Sequence, residues 1–118
     1  MAASSSNGAV AILEFARSRG IDYLFCSPIA VLAPLWEAVA ARAERGGADT
    51  PRYFNCRHEL LAVALASGYY KATGKAQIVC LPPGLGVLNG AMGLRSALQE
   101  RTPSPVGRQT IWAFPVAL

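Results

Sequence analysis

Charge is scarce in this chain: only 15% of its 118 residues are Asp, Glu, Lys or Arg, while 53% are hydrophobic. An ordinary soluble domain carries about a quarter charged residues. The chain is therefore expected to bury most of its length or to leave apolar surface for a partner to cover. Basic blocks are missing as well. The formal charge is +4, but Arg17, Arg19, Arg42, Arg45, Arg52, Arg57, Lys71, Lys75, Arg95, Arg101 and Arg108 lie scattered along the chain. Nucleic-acid modules gather such residues on one face or arm, so no nucleic-acid partner is expected. Histidine occurs once, at His58, and Cys26, Cys56 and Cys80 stand far apart with no CxxC pair. An odd, dispersed set of thiols with a single imidazole supports neither a disulfide framework nor a zinc site. No metal ligand is assigned, and reduced thiols in a cytoplasmic protein are expected.

Targeting and membrane signals are equally thin. The start, MAASSSNGAV, has no basic residue, and Glu14 interrupts the apolar stretch after it, so no secretory leader is read. Residues 76–94 carry no charge, but Pro82, Pro83, Gly84, Gly86 and Asn89 break them in the middle. A strand, a turn and a helix suit that stretch better than a membrane span.

Length favours a single domain, and its segments alternate in kind. After possible caps at Ser4 to Asn7, Ala9, Ile12, Leu13 and Ala16 recur at helical spacing until Gly20. Tyr23 to Cys26 reads as a buried strand, residues 32–45 as a helix closed by Gly46-Gly47, and Arg52 to Cys56 as a second strand. A helix of small residues follows His58-Glu59 and ends at Gly74; Gln77 to Leu81 is a third strand, continuously apolar as when both faces are covered. Pro82 to Gly86 forms a turn, Leu88 to Glu100 a further helix, and Thr110 to Phe114 a candidate fourth strand. Strands and helices in alternation specify βαβ units, hence an α/β fold with an open parallel sheet and helices on both faces.

Ligands of such sheets bind beyond the carboxyl ends of the strands. Ser27-Pro28, Arg57-His58-Glu59 and Pro82 to Asn89 fall there. Gly84 and Gly86 would let backbone approach a ligand, and Glu59 would keep its charge at a helix start. Taken singly, each has a plainer explanation. Glu59 suits a first-turn acid stabilising its helix, His58 a partly exposed linker residue, and Gly84-Leu85-Gly86 an ordinary strand-to-helix turn. No third glycine completes a dinucleotide fingerprint and no Lys-Ser pair completes a P-loop. Nothing ties His58 to a thiol as base to nucleophile.

In combination these segments resemble the N-terminal pyrimidine-binding domain of the thiamine diphosphate-dependent enzymes, the group containing acetolactate synthase and benzoylformate decarboxylase. Arg57-His58-Glu59, Ala62 and the run Ala66 to Lys75 are similar to its RHE or PHE start and A-x-G-Y-A-x-A-T-G-K-like stretch. Gly84 to Asn89 is similar to its G-P-G-x-x-N turn, Gly20 to Pro28 to its G-V-x-Y-V-F-G-x-P-G segment, and Arg101-Thr102-Pro103 to its small-Pro pair. The resemblance covers roughly residues 8–103 and implies an incomplete pyrimidine-binding domain, with a disordered tail at 1–7 and a divergent segment at 104–118. It implies thiamine diphosphate as cofactor and Glu59 as the catalytic glutamate, bonded to a ring nitrogen of the aminopyrimidine and favouring its imino tautomer. Pro28, Glu59, Gly84, Gly86 and Asn89 match cofactor-binding positions, and a 2-oxo acid or similar compound is the implied substrate of a lyase or carboligase.

There are departures. Ile29 and Ala30 follow Pro28 where the family has glycine and another small residue. Pro82 and Pro83 replace polar residues, and Leu85 and Leu88 replace proline and threonine. No Gly-Asp-Gly motif for magnesium and diphosphate occurs in the sequence. The resemblance therefore implies a diphosphate-binding domain or subunit as partner, a homo-oligomeric complete enzyme, and no tight cofactor binding or activity by these residues alone. A non-catalytic remnant or interaction module with the same α/β fold is the alternative. A different nucleotide-binding α/β domain is a further one.

Overall fold

A computed structural model of the chain describes residues 8–28, 30–102 and the backbone of 106–107. The expected caps and tail at residues 1–7, Ile29, most of the segment 104–118 and the candidate strand from Thr110 to Phe114 lie outside the described residues. The elements alternate as expected. They are α1 (Gly8–Ser18), β1 (Tyr23–Cys26), a 3-10 turn (Ala30–Leu32), α2 (Ala33–Glu44), β2 (Arg52–Asn55), α3 (Glu59–Thr73), β3 (Ile78–Cys80), α4 (Leu85–Gln99) and the two-residue β4 (Val106–Gly107). All strand pairs are parallel, in the order β2-β1-β3-β4. The chain passes from β1 outward to β2, then crosses back to place β3 on the other side of β1. That reversal creates a switch point between the carboxyl ends of β1 and β3, where open α/β sheets hold their ligands.

Side chains alternate across the strands and divide the core in two. Leu24, Cys26, Ile78 and Cys80 pack with Ala9, Leu13 and Ala16 of α1 and Leu35 of α2. Phe25 and Val79 point the other way, onto Ala62, Val63 and Ala66 of α3, with Val87 and Leu94 of α4 against them. Helices therefore cover both faces of the sheet. β1 and β3 are central and buried, whereas β2 is largely exposed along its length.

Helix ends follow local chemistry. Gly74 closes α3 in the left-handed conformation, φ 73°, with its N–H returning to the Tyr70 carbonyl at 2.7 Å. At the other end His58 is extended, and its Nδ1 accepts the Leu60 N–H at 3.1 Å. His58 is thus the N-cap of α3 rather than a linker residue. Helix α4 starts at Leu85, three residues before the expected Leu88, because the Pro82-Pro83 pair ends and Gly84 turns the chain at φ 68°. Its buried positions Gly86, Gly90, Gly93 and Ala97 form a stripe that lets α4 lie close on α3. A Cβ at Gly93 would stand 2.9 Å from Leu60 Cδ1 and 3.1 Å from Val63 Cβ, and one at Gly90 2.9 Å from Leu81 Cδ1. The opposite face of α4 leaves Leu85, Leu88 and Met92 exposed, in keeping with the low charge of the chain. No helix among the described residues is long and apolar enough to cross a membrane.

Candidate functional site

Three chain segments converge at the β1/β3 switch point. Ser27 leaves β1 buried, and its N–H donates to the Cys80 carbonyl of β3 at 3.0 Å. Cys56 leaves β2 with its N–H donating to the Cys26 carbonyl at 2.8 Å, which carries the chain through Arg57 and His58 into α3. Leu81 leaves β3 buried and leads to the Pro82–Gly84 turn and α4.

Glu59 stands where these segments meet. The Ser27 hydroxyl donates to its Oε1 at 3.2 Å, and the Asn89 amide of α4 donates to its Oε2 at 3.3 Å. Its carboxyl is held below the ordinary carboxylate value, chiefly by its own backbone N–H in the first turn of α3. Partial burial opposes this, and the Asn89 amide and the Ser27 hydroxyl assist it. The result is an ionised, half-buried carboxylate whose oxygens are each fixed by one neutral donor. A carboxylate has about four acceptor sites, so both oxygens can still accept an N–H from a ligand.

Of the residues singled out in the sequence, Glu59 and Asn89 are brought into direct contact. Gly84 lies exposed in the adjoining turn, with nothing within 4 Å of a Cβ position. Gly86 is buried, and its close approach is to the protein itself: a Cβ there would fall under 3.0 Å from three atoms of the Pro82 ring. Proline at residue 82 and glycine at residue 86 are therefore one packing unit. Pro28 is exposed and lines a shallow groove of about 380 Å³ with Leu32, Trp36 and Tyr53, beside α2. Ser27 was legible only as a neighbour of Pro28; its contact with Glu59 depends on the spatial order of the strands.

A larger cleft of about 620 Å³ opens at the amino end of the sheet, between Arg17, Asp22, Arg52 and Tyr69. Its size does not outweigh its position, because strand carboxyl ends carry the ligand sites in this architecture. The thiols do not offer an alternative chemistry. The neighbouring Cys80 thiol and burial push Cys26 up, and burial pushes Cys56 up, so both stay protonated and inert. Among the described residues no group of three or more His, Cys, Asp or Glu could hold a metal ion.

A parallel α/β domain with a fixed, ionised carboxylate at its switch point defines a class of ligand-binding domain, and the comparisons narrow it. Residues 6–106 match the family described as thiamine pyrophosphate enzyme, N-terminal TPP binding domain. The chain belongs to that family. It is 32% identical over 97 residues to the acetolactate synthase isozyme 2 large subunit of Escherichia coli (strain K12), covering 82% of this chain and 16% of the relative. It is 29% identical over 97 residues to the acetolactate synthase large subunit of Haemophilus influenzae, again covering 82% and 16%. The chain therefore spans about one sixth of the length of these relatives. Its fold matches the X-ray structure of a candidate thiamin diphosphate-dependent enzyme from Mycobacterium smegmatis, with a TM-score of 0.69 and 23% identity over 86% of this chain and 18% of that one.

The cofactor of the family is thiamine diphosphate, and the hydrogen-bonding chemistry of Glu59 suits one end of it. An aminopyrimidine offers a ring nitrogen that can carry a proton, and the fixed Glu59 carboxylate is an acceptor suited to that N–H.

Proposed function

We propose that the chain forms the pyrimidine-binding half of a thiamine diphosphate-dependent lyase or carboligase acting on a 2-oxo acid or a similar carbonyl compound. The observation that carries this reading is Glu59, ionised at the head of α3 with both oxygens oriented, at the switch point of a domain belonging to this family. When bound, thiamine diphosphate supplies a thiazolium carbon nucleophile and stores the electron pair released from the substrate. The residues of the chain do the rest at the pyrimidine end. A Glu59 oxygen accepts the ring N–H and holds a proton at that nitrogen. Asn89 of α4 and Ser27 after β1 keep that oxygen oriented toward the ring.

Magnesium and the diphosphate belong, in this reading, to a second domain or subunit, for which the exposed Leu85, Leu88 and Met92 face is a suitable seat. The complete assembly is a homo-oligomer, and the three free buried thiols suit a reducing, cytoplasmic setting. The acetolactate synthase relatives favour carboligation over simple decarboxylation as the reaction type.

Titration of the full chain with thiamine, followed by NMR, tests the reading. Millimolar thiamine is expected to shift the signals of Ser27, Glu59 and Asn89, and Glu59→Gln to abolish those shifts. Magnesium with thiamine diphosphate is expected to bind no more tightly than thiamine. Equal binding by wild type and Glu59→Gln would remove Glu59 from cofactor recognition.

A further inference from the structure

We infer that Ser27 is a positioning residue for Glu59, its hydroxyl holding one carboxylate oxygen so that the other edge is presented to the cofactor ring. The inference rests on the reading of Glu59 given above and deepens it. Ser27 Oγ lies 3.2 Å from Glu59 Oε1, across 32 residues of sequence and between two different strand ends. The serine is itself immobilised: it is only 6% exposed, its N–H is tied to the Cys80 carbonyl at 3.0 Å, and Pro28 restricts the backbone after it. A glutamate has three side-chain torsions, and a lone contact from Asn89 on α4 would leave the carboxylate free to swing about that bond. With Ser27 on Oε1 and Asn89 on Oε2, the plane of the carboxylate is set from two sides.

The two donors are neutral, and this bears on the chemistry. A lysine or arginine in either place would neutralise the carboxylate and compete for the incoming N–H. Serine and asparagine steady the charge while leaving it available to the ring. The groups acting on Glu59 are Ser27 at the end of β1, Asn89 on α4, its own backbone N–H, and His58 as the neighbouring titratable side chain. Removing the Ser27 hydroxyl removes one of the bonds that favour the ionised form, so the carboxyl must titrate at higher pH.

The test is a ¹³C NMR titration of the Glu59 side-chain carboxyl in the full chain, in wild type, Ser27→Ala, Ser27→Cys and Ser27→Thr. The midpoint is expected to move upward in Ser27→Ala and Ser27→Cys and to return toward the wild-type value in Ser27→Thr, which restores a hydroxyl. Thiamine binding is expected to weaken about two- to tenfold in the first two variants, the effect of one net hydrogen bond. Ser27→Cys keeps the volume of the site, so packing loss alone does not move its midpoint. An unmoved midpoint in both Ser27→Ala and Ser27→Cys overturns the inference, even if Glu59→Gln abolishes thiamine binding. A moved midpoint with thiamine binding insensitive to Glu59→Gln supports the Ser27 contact and overturns the cofactor reading instead.

Discussion

Gln77 joins the starts of β1 and β3, and replacing it gives a sharp test of how the sheet is held. The residue is fully buried. Its Oε1 accepts the Asp22 N–H at 3.1 Å and the Tyr23 N–H at 2.7 Å, and its Nε2 donates to the Lys75 and Ala76 carbonyls at 3.2 and 2.9 Å. One amide thus satisfies two backbone donors and two backbone acceptors that the strand ladder does not reach. Gln77→Met keeps most of the volume and removes every one of these bonds. Each orphaned buried donor costs about 1–3 kcal/mol, so the two N–H groups together predict a loss of roughly 2–4 kcal/mol, allowing for partial access to water. Gln77→Ala adds a void and is expected to lose about 1–2 kcal/mol more. Small domains have only about 5–15 kcal/mol in total, so Gln77→Met should lower the melting temperature by roughly 10–30 °C. Urea denaturation and thermal melts followed by circular dichroism measure both quantities. A Gln77→Met chain within about 0.5 kcal/mol of wild type would refute the view that this amide carries the β1–β3 junction.

Two further predictions concern packing and pH. Gly68 sits within α3 with nothing near its Cβ position, so Gly68→Ala should stabilise the chain by up to about 1 kcal/mol. Gly86→Ala should destabilise it by roughly 1–3 kcal/mol against the Pro82 ring, and equal effects of the two in urea denaturation would contradict the packing described. Tyr69 donates its hydroxyl to Asp22 Oδ2 at 2.7 Å, which holds Asp22 below its ordinary value, with Lys75 assisting and burial opposing, and pushes Tyr69 up. The lowered carboxyl contributes stability above its unfolded value of about 3.9, lost as pH falls through the folded one; the raised phenol contributes below about 10, lost as pH rises through its folded value. The stability difference between wild type and Tyr69→Phe should therefore be widest between these limits and shrink on both sides. A difference independent of pH would count against the pair.

Much of the architecture was legible because it rests on local patterns. The apolar runs at Tyr23 to Cys26 and Ile78 to Cys80, the glycine at residue 74 and the small-residue helix after Glu59 each announce their element within a few positions. Glu59 could be placed at a strand carboxyl end because a strand precedes it directly. What sequence did not disclose depends on strand order. Ser27 reaches Glu59 only because β1 lies between β2 and β3, and Gln77 caps the start of β1 for the same reason. His58 as N-cap was missed because Ser, Thr, Asp and Asn dominate that position. The stripe of Gly86, Gly90, Gly93 and Ala97 was written in the spacing, and only the contact with α3 gives it meaning. Gly86 also packs against the Pro82 ring, a contact that the sequence did not disclose.

The central claim is that Glu59 recognises the protonated ring nitrogen of the aminopyrimidine, and a comparison of two ligands tests it most directly. Thiamine and an analogue with carbon in place of that nitrogen are titrated into the wild-type chain and into Glu59→Gln. The wild-type chain is expected to prefer thiamine by about tenfold or more, the effect of a hydrogen bond to a charged group, and Glu59→Gln to lose most of that preference. The same preference in both chains would contradict the claim.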